Sequence, residues 1–224
     1  MNAYFILFIA ITLASWGVSA LLNHRFKQYS KVYLPLTGRE VAEKMLRDNG
    51  ITDVQVISTP GHLTDHYDPR NKTVNLSDAV YSSNSVAAAA VAAHECGHAV
   101  QHAYAYAPLS MRSALVPVVS FASKWVTWIL LGGILLLEVF PQLLIAGIIL
   151  YALITLFSFI TLPVEINASQ RAVAWLEQAD ITDRQTTPMA SAALRTAAYT
   201  YVVAALSSLG TLVYYILILV GRRD

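Results

Sequence analysis

The residues with the clearest chemical potential lie in the alanine-rich run AAAVAAHECGHAVQHAY, residues 88–104. His94 and His98 are four positions apart, so on a helix their rings lie on one face, about 6 Å apart along the axis. This spacing suits two nitrogen ligands of one tetrahedral zinc ion at about 2.0–2.1 Å. Glu95 follows His94 and lies about 100° further round the helix axis. From there its carboxylate can act as a general base on a zinc-bound water without binding the metal. Together they form the His-Glu-x-x-His pattern of zinc peptidases.

Two other residues of this run are not expected to bind the metal. His102 continues the four-residue spacing, but it lies about 12 Å from His94 along a continuous helix, so the two cannot share one ion. Cys96 lies on the opposite side of the helix and is expected to pack as a small buried residue. Ser85 is a favoured N-cap and Pro108 a helix terminator, so one helix is predicted between them. The alternative to a metal site is a pair of surface histidines on an amphipathic helix.

A catalytic zinc ion normally has three protein ligands and one water, so a third ligand must come from elsewhere in the chain. The candidate is Glu165, in the segment LPVEINASQRA (162–172) at the end of an apolar stretch. A carboxylate so close to lipid is costly without a partner, and a zinc ion would supply one. Pro163 favours the first turn of a new helix here. The alternative role for Glu165 is an acid that interacts with the dipole at the start of that helix.

The chain is unusually apolar. Of its 224 residues, 56% are hydrophobic and 13% are charged, about half the charged fraction of a soluble domain. Four stretches reach the roughly 20 apolar residues that cross a membrane: 3–22, about 114–137, about 142–162 and about 197–220. A cleaved signal peptide is the alternative for the first stretch, but no basic residue precedes it and it exceeds the usual length of a signal core. The net charge of +1 argues against a nucleic-acid partner.

The basic residues near these stretches predict the orientation in the membrane. Arg25, Lys27 and Lys31 follow the first stretch, which places the N-terminus outside and residues 23–113 on the cytoplasmic side. Two further crossings bring residues 163–196 back to that side. The zinc-site candidates are therefore predicted at the cytoplasmic face of a multi-pass protein of the cell membrane. The two arginines after the last stretch run against this rule.

The first polar segment is predicted to be a small α+β unit. Thr37 and Glu40 form a capping-box pattern at the start of a helix over 37–49. The β-branched residues of 53–58 predict one strand, and TVNLS (73–77) predicts a second strand at the edge of a sheet. An edge strand offers unpaired backbone groups, so TVNLS would also receive an extended peptide substrate. The alternative for TVNLS is an ordinary hairpin strand.

The stretch between these two strands, 59–72, is rich in turn-forming residues. It also contains four side chains of metal-binding types: His62, Asp65, His66 and Asp68. They could form a second metal site, but such residues also serve turns in which side chains bond their own backbone. We favour the turn interpretation.

These features predict a mainly α-helical polytopic membrane protein, with about four transmembrane helices and a small α+β zincin-like domain. The predicted divisions are an N-terminal anchor, the metallopeptidase segment, a two-helix transmembrane hairpin, a helical segment with the third zinc ligand, and a C-terminal transmembrane helix. In chain order these are residues 1–22, 23–113, 114–162, 163–196 and 197–224.

Four motifs occur in order along the chain: DHYDPRNKTVNLS, SVAAAAVAAHECGHAVQH, LPVEINASQRA and AAYTYVVAALSSL. With the apolar stretches between them, they resemble the neutral zinc metallopeptidases of bacterial membranes, the YugP-like family, over nearly the whole chain. The resemblance implies a membrane-embedded zinc peptidase of the gluzincin type, in which His94, His98 and the downstream Glu165 bind one catalytic zinc ion. A more distant likeness is to the HtpX-like proteases, which carry an aspartate where this chain has Ser169. Support for a zinc histidine would then have to come from Asn167 or another residue.

We therefore predict a membrane-bound zinc metalloendopeptidase that hydrolyses peptide bonds by zinc-activated water, with Glu95 as the general base. The expected partners are protein or peptide substrates, membrane proteins among them, and the lipid bilayer; an oligomer or a larger membrane complex is left open. Tyr201 and Arg195 are candidates for stabilising the reaction's oxyanion, without a commitment to either. Two other functions stay open. One is an intramembrane protease, which the polar groups around the motif disfavour; the other is a metal-stabilised scaffold or adaptor, which would not need Glu95.

Overall fold

The computed structural model describes residues 3–61 and 63–221. Its elements, in chain order, are α1 Ala3–Tyr29, α2 Gly38–Asp48, β1 Gln55–Thr59, β2 His66–Asp68, β3 Thr73–Ser77, α3 Asp78–Tyr81, α4 Val86–Ala103, α5 Ala107–Leu135, α6 Pro141–Gln178 and α7 Thr187–Val220. Long helices dominate, and the strands form one small sheet. The predicted fold class, a mainly helical membrane protein with a small α+β part, is confirmed.

Among the described residues, three helices are long and apolar enough to cross a membrane: α5, α6 and α7. They contain all or nearly all of the apolar stretches predicted near 114–137, 142–162 and 197–220, so the prediction of long apolar helices at these three places is confirmed. The remaining stretch, residues 3–22, forms most of α1. Because α1 is not one of the three helices, its crossing of the membrane stays a prediction.

The prediction that a new helix starts at Pro163 is wrong, because this residue lies inside α6, a continuous helix of 38 residues. Proline removes one backbone hydrogen bond from a helix, but apolar helices of this length tolerate the loss when neighbouring groups compensate for it. Glu165 therefore lies well inside a helix. The alternative role for Glu165, an acid at a helix N-terminus, is excluded by this position.

The chain divides into two compact units. The apolar unit comprises the described parts of residues 1–17, 110–163 and 200–224, and the site unit comprises those of 18–109 and 164–199. Within the apolar unit α5 approaches α6 closely, since a Cβ added at Gly133 would lie 2.6 Å from Leu144 Cα. Small residues at such points let membrane helices pack backbone to backbone. α6 is also bonded to α7 through the hydroxyls of Thr155 and Ser208, which are 2.6 Å apart.

The site unit has a core that α2, β3, α4, the end of α6 and the start of α7 build together. The buried side chains of α4 are mostly alanines, so the other elements pack close to its backbone. α2 begins with the predicted capping box: Glu40 N donates to Thr37 Oγ1, and Thr37 N donates to the Glu40 carboxylate. These contacts satisfy two backbone donors that the first turn of a helix leaves without partners. The predicted helix over 37–49 is thereby confirmed.

The sheet has the strand order β1–β3–β2, with β1 parallel and β2 antiparallel to β3. The prediction that TVNLS is an edge strand is therefore wrong, because it forms the central strand β3. Its polar residues Asn75 and Ser77 are buried with hydrogen-bond partners: Ser77 N and Oγ donate to Asp65, and Asn75 Nδ2 donates to Thr73 Oγ1. A strand paired on both sides cannot receive a substrate strand. The edge beside it, β2, lies in the segment that the sequence predicted as turns.

Candidate metal centre

Two helices of the site unit position the candidate ligands. α4 begins at Ser85, whose Oγ accepts a hydrogen bond from Ala88 N, and it carries the His-Glu-x-x-His pattern in its second half. α6 passes against it where a Cβ at Gly97 would lie only 2.7 Å from the Ala168 carbonyl oxygen. The glycine inside the pattern is thus the point at which α4 and α6 touch backbone to backbone. This close approach brings Glu165, one turn before Ala168, to the histidines.

The predicted ligand atoms converge. Glu165 Oε2 lies 3.3 Å from His94 Nε2 and 3.5 Å from His98 Nε2. One ligand atom from each of the three side chains lies within 4.8 Å of the others. The side chains are largely buried, with exposed fractions of 15% for His94, 11% for His98 and 3% for Glu165. Within residues 3–61 and 63–221, this is the one group of three or more metal-binding side chains that gathers in this way.

The donor set fits a zinc ion. Ligand atoms at about 2.0–2.1 Å from a tetrahedral zinc lie about 3.3–3.4 Å from one another, which matches the separations of Glu165 Oε2 from the two imidazoles. Two histidine nitrogens and one carboxylate oxygen are also the ligand types of catalytic zinc sites, which leave a fourth position for water. The arrangement therefore suits one zinc ion in this pocket of the protein.

The charges around His98 favour a cation. Burial works to lower the pKa of His98, but its hydrogen bond to Glu165 and the negative charges of Glu95 and Glu165 outweigh burial. The net result is that the pKa of His98 lies above its ordinary value of 6.5. A pocket that raises the pKa of an imidazole stabilises positive charge at that point, as a cation site requires.

Both histidines have partners on their second ring nitrogens. His94 Nδ1 lies 3.1 Å from Ser169 Oγ, and His98 Nδ1 lies 3.0 Å from Gln101 Oε1. The distant likeness predicts an aspartate at the position of Ser169, and in this chain a hydroxyl contacts His94 there. Such outer contacts hold the ring orientation of metal-binding histidines.

Comparisons with known proteins agree with this arrangement. A family model described as "Putative neutral zinc metallopeptidase" matches residues 4–220. The chain belongs to this family. The resemblance inferred from the four motifs is thereby confirmed, and membership of a zinc peptidase family implies zinc as the metal. The "Putative membrane protease YugP" of Bacillus subtilis (strain 168) is 41% identical over an alignment 224 positions long, which covers 97% of this chain and 99% of that protein. No solved structure matches the chain.

Glu95, the predicted general base, lies beside the candidate ligands on α4 and is mostly buried. Its Oε2 accepts a hydrogen bond of 3.1 Å from the backbone N–H of Tyr67, on the edge strand β2. The Tyr67 hydroxyl lies 3.0 Å from His102 Nδ1. His102 is thus bonded to β2 and lies outside the ligand group, as its distance along the helix predicts.

Three of the four side chains that could form a second metal site, Asp65, His66 and Asp68, have other hydrogen-bond partners, and they form no second metal-binding group within the described part of the chain. Asp68 accepts hydrogen bonds from Arg70 N and Asn71 N, as the turn interpretation predicts. Asp65 is bonded to Ser77, and His66 to the Thr64 carbonyl oxygen. His62 lies outside the described residues. Among the oxyanion candidates, Arg195 donates to Ser191 on its own helix, and Tyr201 lies in α7.

The sequence alone does not predict the contacts that three residues make in this centre. Gln101 is the first of them, and the available signal is that a glutamine three positions after His98 in an apolar helix needs a partner. Tyr67 was hidden in a segment assigned to turns, because a three-residue strand has too few positions to show an alternating pattern. Ser169 was recognised only as a departure from a related family, and its contact with His94 depends on how α6 packs on α4.

Proposed function

We propose that the chain is a membrane-bound zinc metalloendopeptidase that hydrolyses peptide bonds of protein substrates, with its active site at the cytoplasmic face of the membrane. The observation that carries this proposal is the convergence of His94, His98 and Glu165 within 4.8 Å, with Glu95 beside them on α4. Membership of a zinc metallopeptidase family and the likeness to a membrane protease support the same conclusion.

The metal would be held by His94 Nε2, His98 Nε2 and a carboxylate oxygen of Glu165. When bound, zinc would supply Lewis acidity, which lowers the pKa of a water ligand and polarises a peptide carbonyl. Glu95 would accept the proton of the attacking water at its carboxylate and return it to the nitrogen of the leaving amine. The Tyr67 N–H, bonded to Glu95 Oε2 at 3.1 Å, holds this carboxylate in place before substrate arrives.

The edge strand β2 is the place at which a peptide substrate in extended form would pair with the sheet. It is paired with β3 on one side, and the order β1–β3–β2 leaves its other side at the edge of the sheet. Because Tyr67 N bonds Glu95, this edge is the one that faces the proposed base. Pairing through backbone groups recognises little of the substrate's sequence, so broad specificity is expected.

The test compares the purified full chain with its Glu95→Gln variant, in detergent, for metal content and for degradation of casein or of the chain itself. Loss of a general base typically lowers a rate by about 10²–10⁴-fold, whereas Glu95 is not one of the three ligands. Glu95→Gln should therefore lose proteolysis and keep one zinc ion per chain. His94→Ala and Glu165→Ala should lose both.

Glu177→Gln is the matched control, because Glu177 is an exposed glutamate on α6 outside the ligand group. It should keep both zinc and activity. Full activity in Glu95→Gln would refute the role of Glu95. A wild-type chain that binds zinc but cleaves no protein under any metal-loaded condition would favour the scaffold function instead.

A further inference from the structure

The fully buried side chain of Gln101 connects the two helices that carry the candidate ligands. Its Nε2 donates to the Val164 carbonyl oxygen at 2.8 Å and to Asn167 Oδ1 at 3.0 Å, both on α6. Its Oε1 lies 3.0 Å from His98 Nδ1 on α4. Gln101 is 0% exposed, and burying an amide is costly unless its hydrogen bonds are made. Three contacts, two of them to the helix of Glu165, meet that requirement.

The nitrogen and oxygen atoms of the Asn167 and Gln101 amides can be assigned in turn, starting from Arg171, the residue farthest from His98 in this network. Arg171 Nε can only donate, and it lies 2.8 Å from an Asn167 side-chain atom, which must therefore be Oδ1. Asn167 Oδ1 and the Val164 carbonyl oxygen both accept, so the Gln101 atom that faces them must be Nε2. The Gln101 atom that faces His98 is consequently Oε1, which only accepts.

The consequence falls on the imidazole of His98. Because Gln101 Oε1 accepts, Nδ1 of His98 must carry a hydrogen. In the neutral imidazole that binds a metal, Nε2 then has the free lone pair, and this atom lies 3.5 Å from Glu165 Oε2. The tautomer of His94 is not selected in this way, because its partner Ser169 Oγ can both donate and accept. The amide network therefore selects the zinc-binding tautomer of one histidine specifically.

We propose that Gln101 is a positioning residue of the metal centre. It holds His98 with Nε2 available to the metal, and through Val164 it ties α4 to the turn of α6 that carries Glu165. Asn167 and Arg171 act through Gln101, because they fix the orientation of its amide. The inference rests on the proposed zinc site and adds to it residues that do not touch the metal. Removing an outer partner of a metal-binding histidine typically lowers metal affinity about 10–100-fold.

The test measures zinc affinity of the full chain in detergent, by competition with a chromophoric chelator, together with the visible absorption spectrum of the cobalt-substituted protein. Gln101→Leu should lower zinc affinity about 10–100-fold and change the cobalt spectrum, which reports ligand geometry. Asn167→Asp keeps an oxygen that accepts from both Gln101 and Arg171, so its affinity should stay within about threefold of wild type. Asn167→Leu removes that acceptor and should lower affinity about tenfold.

The thermal midpoint of the metal-free variants separates positioning from a general loss of stability. If the role of Gln101 were purely structural, Gln101→Leu would lower this midpoint and leave the zinc affinity and cobalt spectrum of the folded protein unchanged. That result would overturn the inference. Should Gln101→Leu fail to fold, the Asn167 pair decides, since equal affinities of its two variants would overturn the inference as well. A wild-type chain without zinc affinity would overturn the zinc site itself, whereas normal affinity in Gln101→Leu overturns this inference alone.

Discussion

The close contact at Gly97 yields a quantitative prediction about the metal centre. In Gly97→Ala the new Cβ would lie 2.7 Å from the Ala168 carbonyl oxygen and 3.2 Å from Ala168 Cα, both backbone atoms of α6. The shorter distance is about 0.7 Å below the 3.4 Å at which ordinary contact begins. No side chain can rotate to relieve it, so α4 and α6 must move apart by several tenths of an ångström.

Such a separation acts on the ligands more than on the fold. Overpacking costs about 1–3 kcal/mol, and replacing glycine by alanine inside a helix returns up to about 1 kcal/mol, so the variant should still fold. Zinc sites, in contrast, need ligand distances within about 0.2 Å of their ideal values. His94 and His98 lie on α4 and Glu165 lies on α6. Moving the two helices apart therefore lengthens the distances between Glu165 and the two histidines. We expect zinc affinity to fall about 10–100-fold, as it does when the outer partners of a ligand are removed.

The assay is zinc competition with a chromophoric chelator, with circular dichroism used to confirm that each variant is folded. Gly17→Ala is the matched control, because a Cβ at this glycine of α1 meets nothing within 4 Å. It should bind zinc as wild type does. A Gly97→Ala variant whose zinc affinity stays within about twofold of wild type would show that the ligands do not depend on this contact, and the reasoning would be refuted.

Two further predictions concern α2 and the interior of α4. Thr37→Ala removes the N-cap of α2 and should lower the free energy of unfolding by about 1 kcal/mol; thermal unfolding would show this as a midpoint about 2–4 °C lower, with Thr52→Ala, an exposed loop threonine, as the control. Cys96 is fully buried and burial raises the pKa of its thiol, so little thiolate forms and the folded chain should not react with maleimide at pH 8. An exposed thiol introduced by Ser82→Cys should react under the same conditions; rapid labelling of the folded wild-type chain would contradict the packing described for α4.

Sequence reasoning succeeded where the determining interactions are local. The period of the α-helix places His94 and His98 on one face whatever the rest of the chain does. The capping box of Thr37 and Glu40 needs three residues, and a membrane helix needs only length and apolar composition. Glu165 is the exception, because its proximity to the histidines depends on distant packing. The sequence still predicts that proximity, since a carboxylate at the end of an apolar stretch needs a partner.

Sequence reasoning failed where distant elements decide a residue's environment. TVNLS is predicted as an edge strand, yet β3 is paired on both sides and its Asn75 and Ser77 are buried and hydrogen-bonded. Pro163 predicts a helix start because proline favours the first helical turn. Its presence inside α6 depends on surrounding groups that the sequence does not reveal. β2 was missed because its pairing with β3, and not its own composition, makes it a strand.

The sequence by itself thus determined that His94 and His98 share one helix face with Glu95 beside them, and that long apolar helices follow. Each of these features follows from helix period or composition within a few turns. Only the tertiary structure decided that α6 meets α4 at Gly97, that Gln101 bridges to residues 63 and 66 positions away, and that β2 lies against Glu95. The physical reason is that the favourable free energy of these contacts is realised only after the core of the site unit has formed. Local periodicity carries no information about which backbone will approach another to within a van der Waals contact.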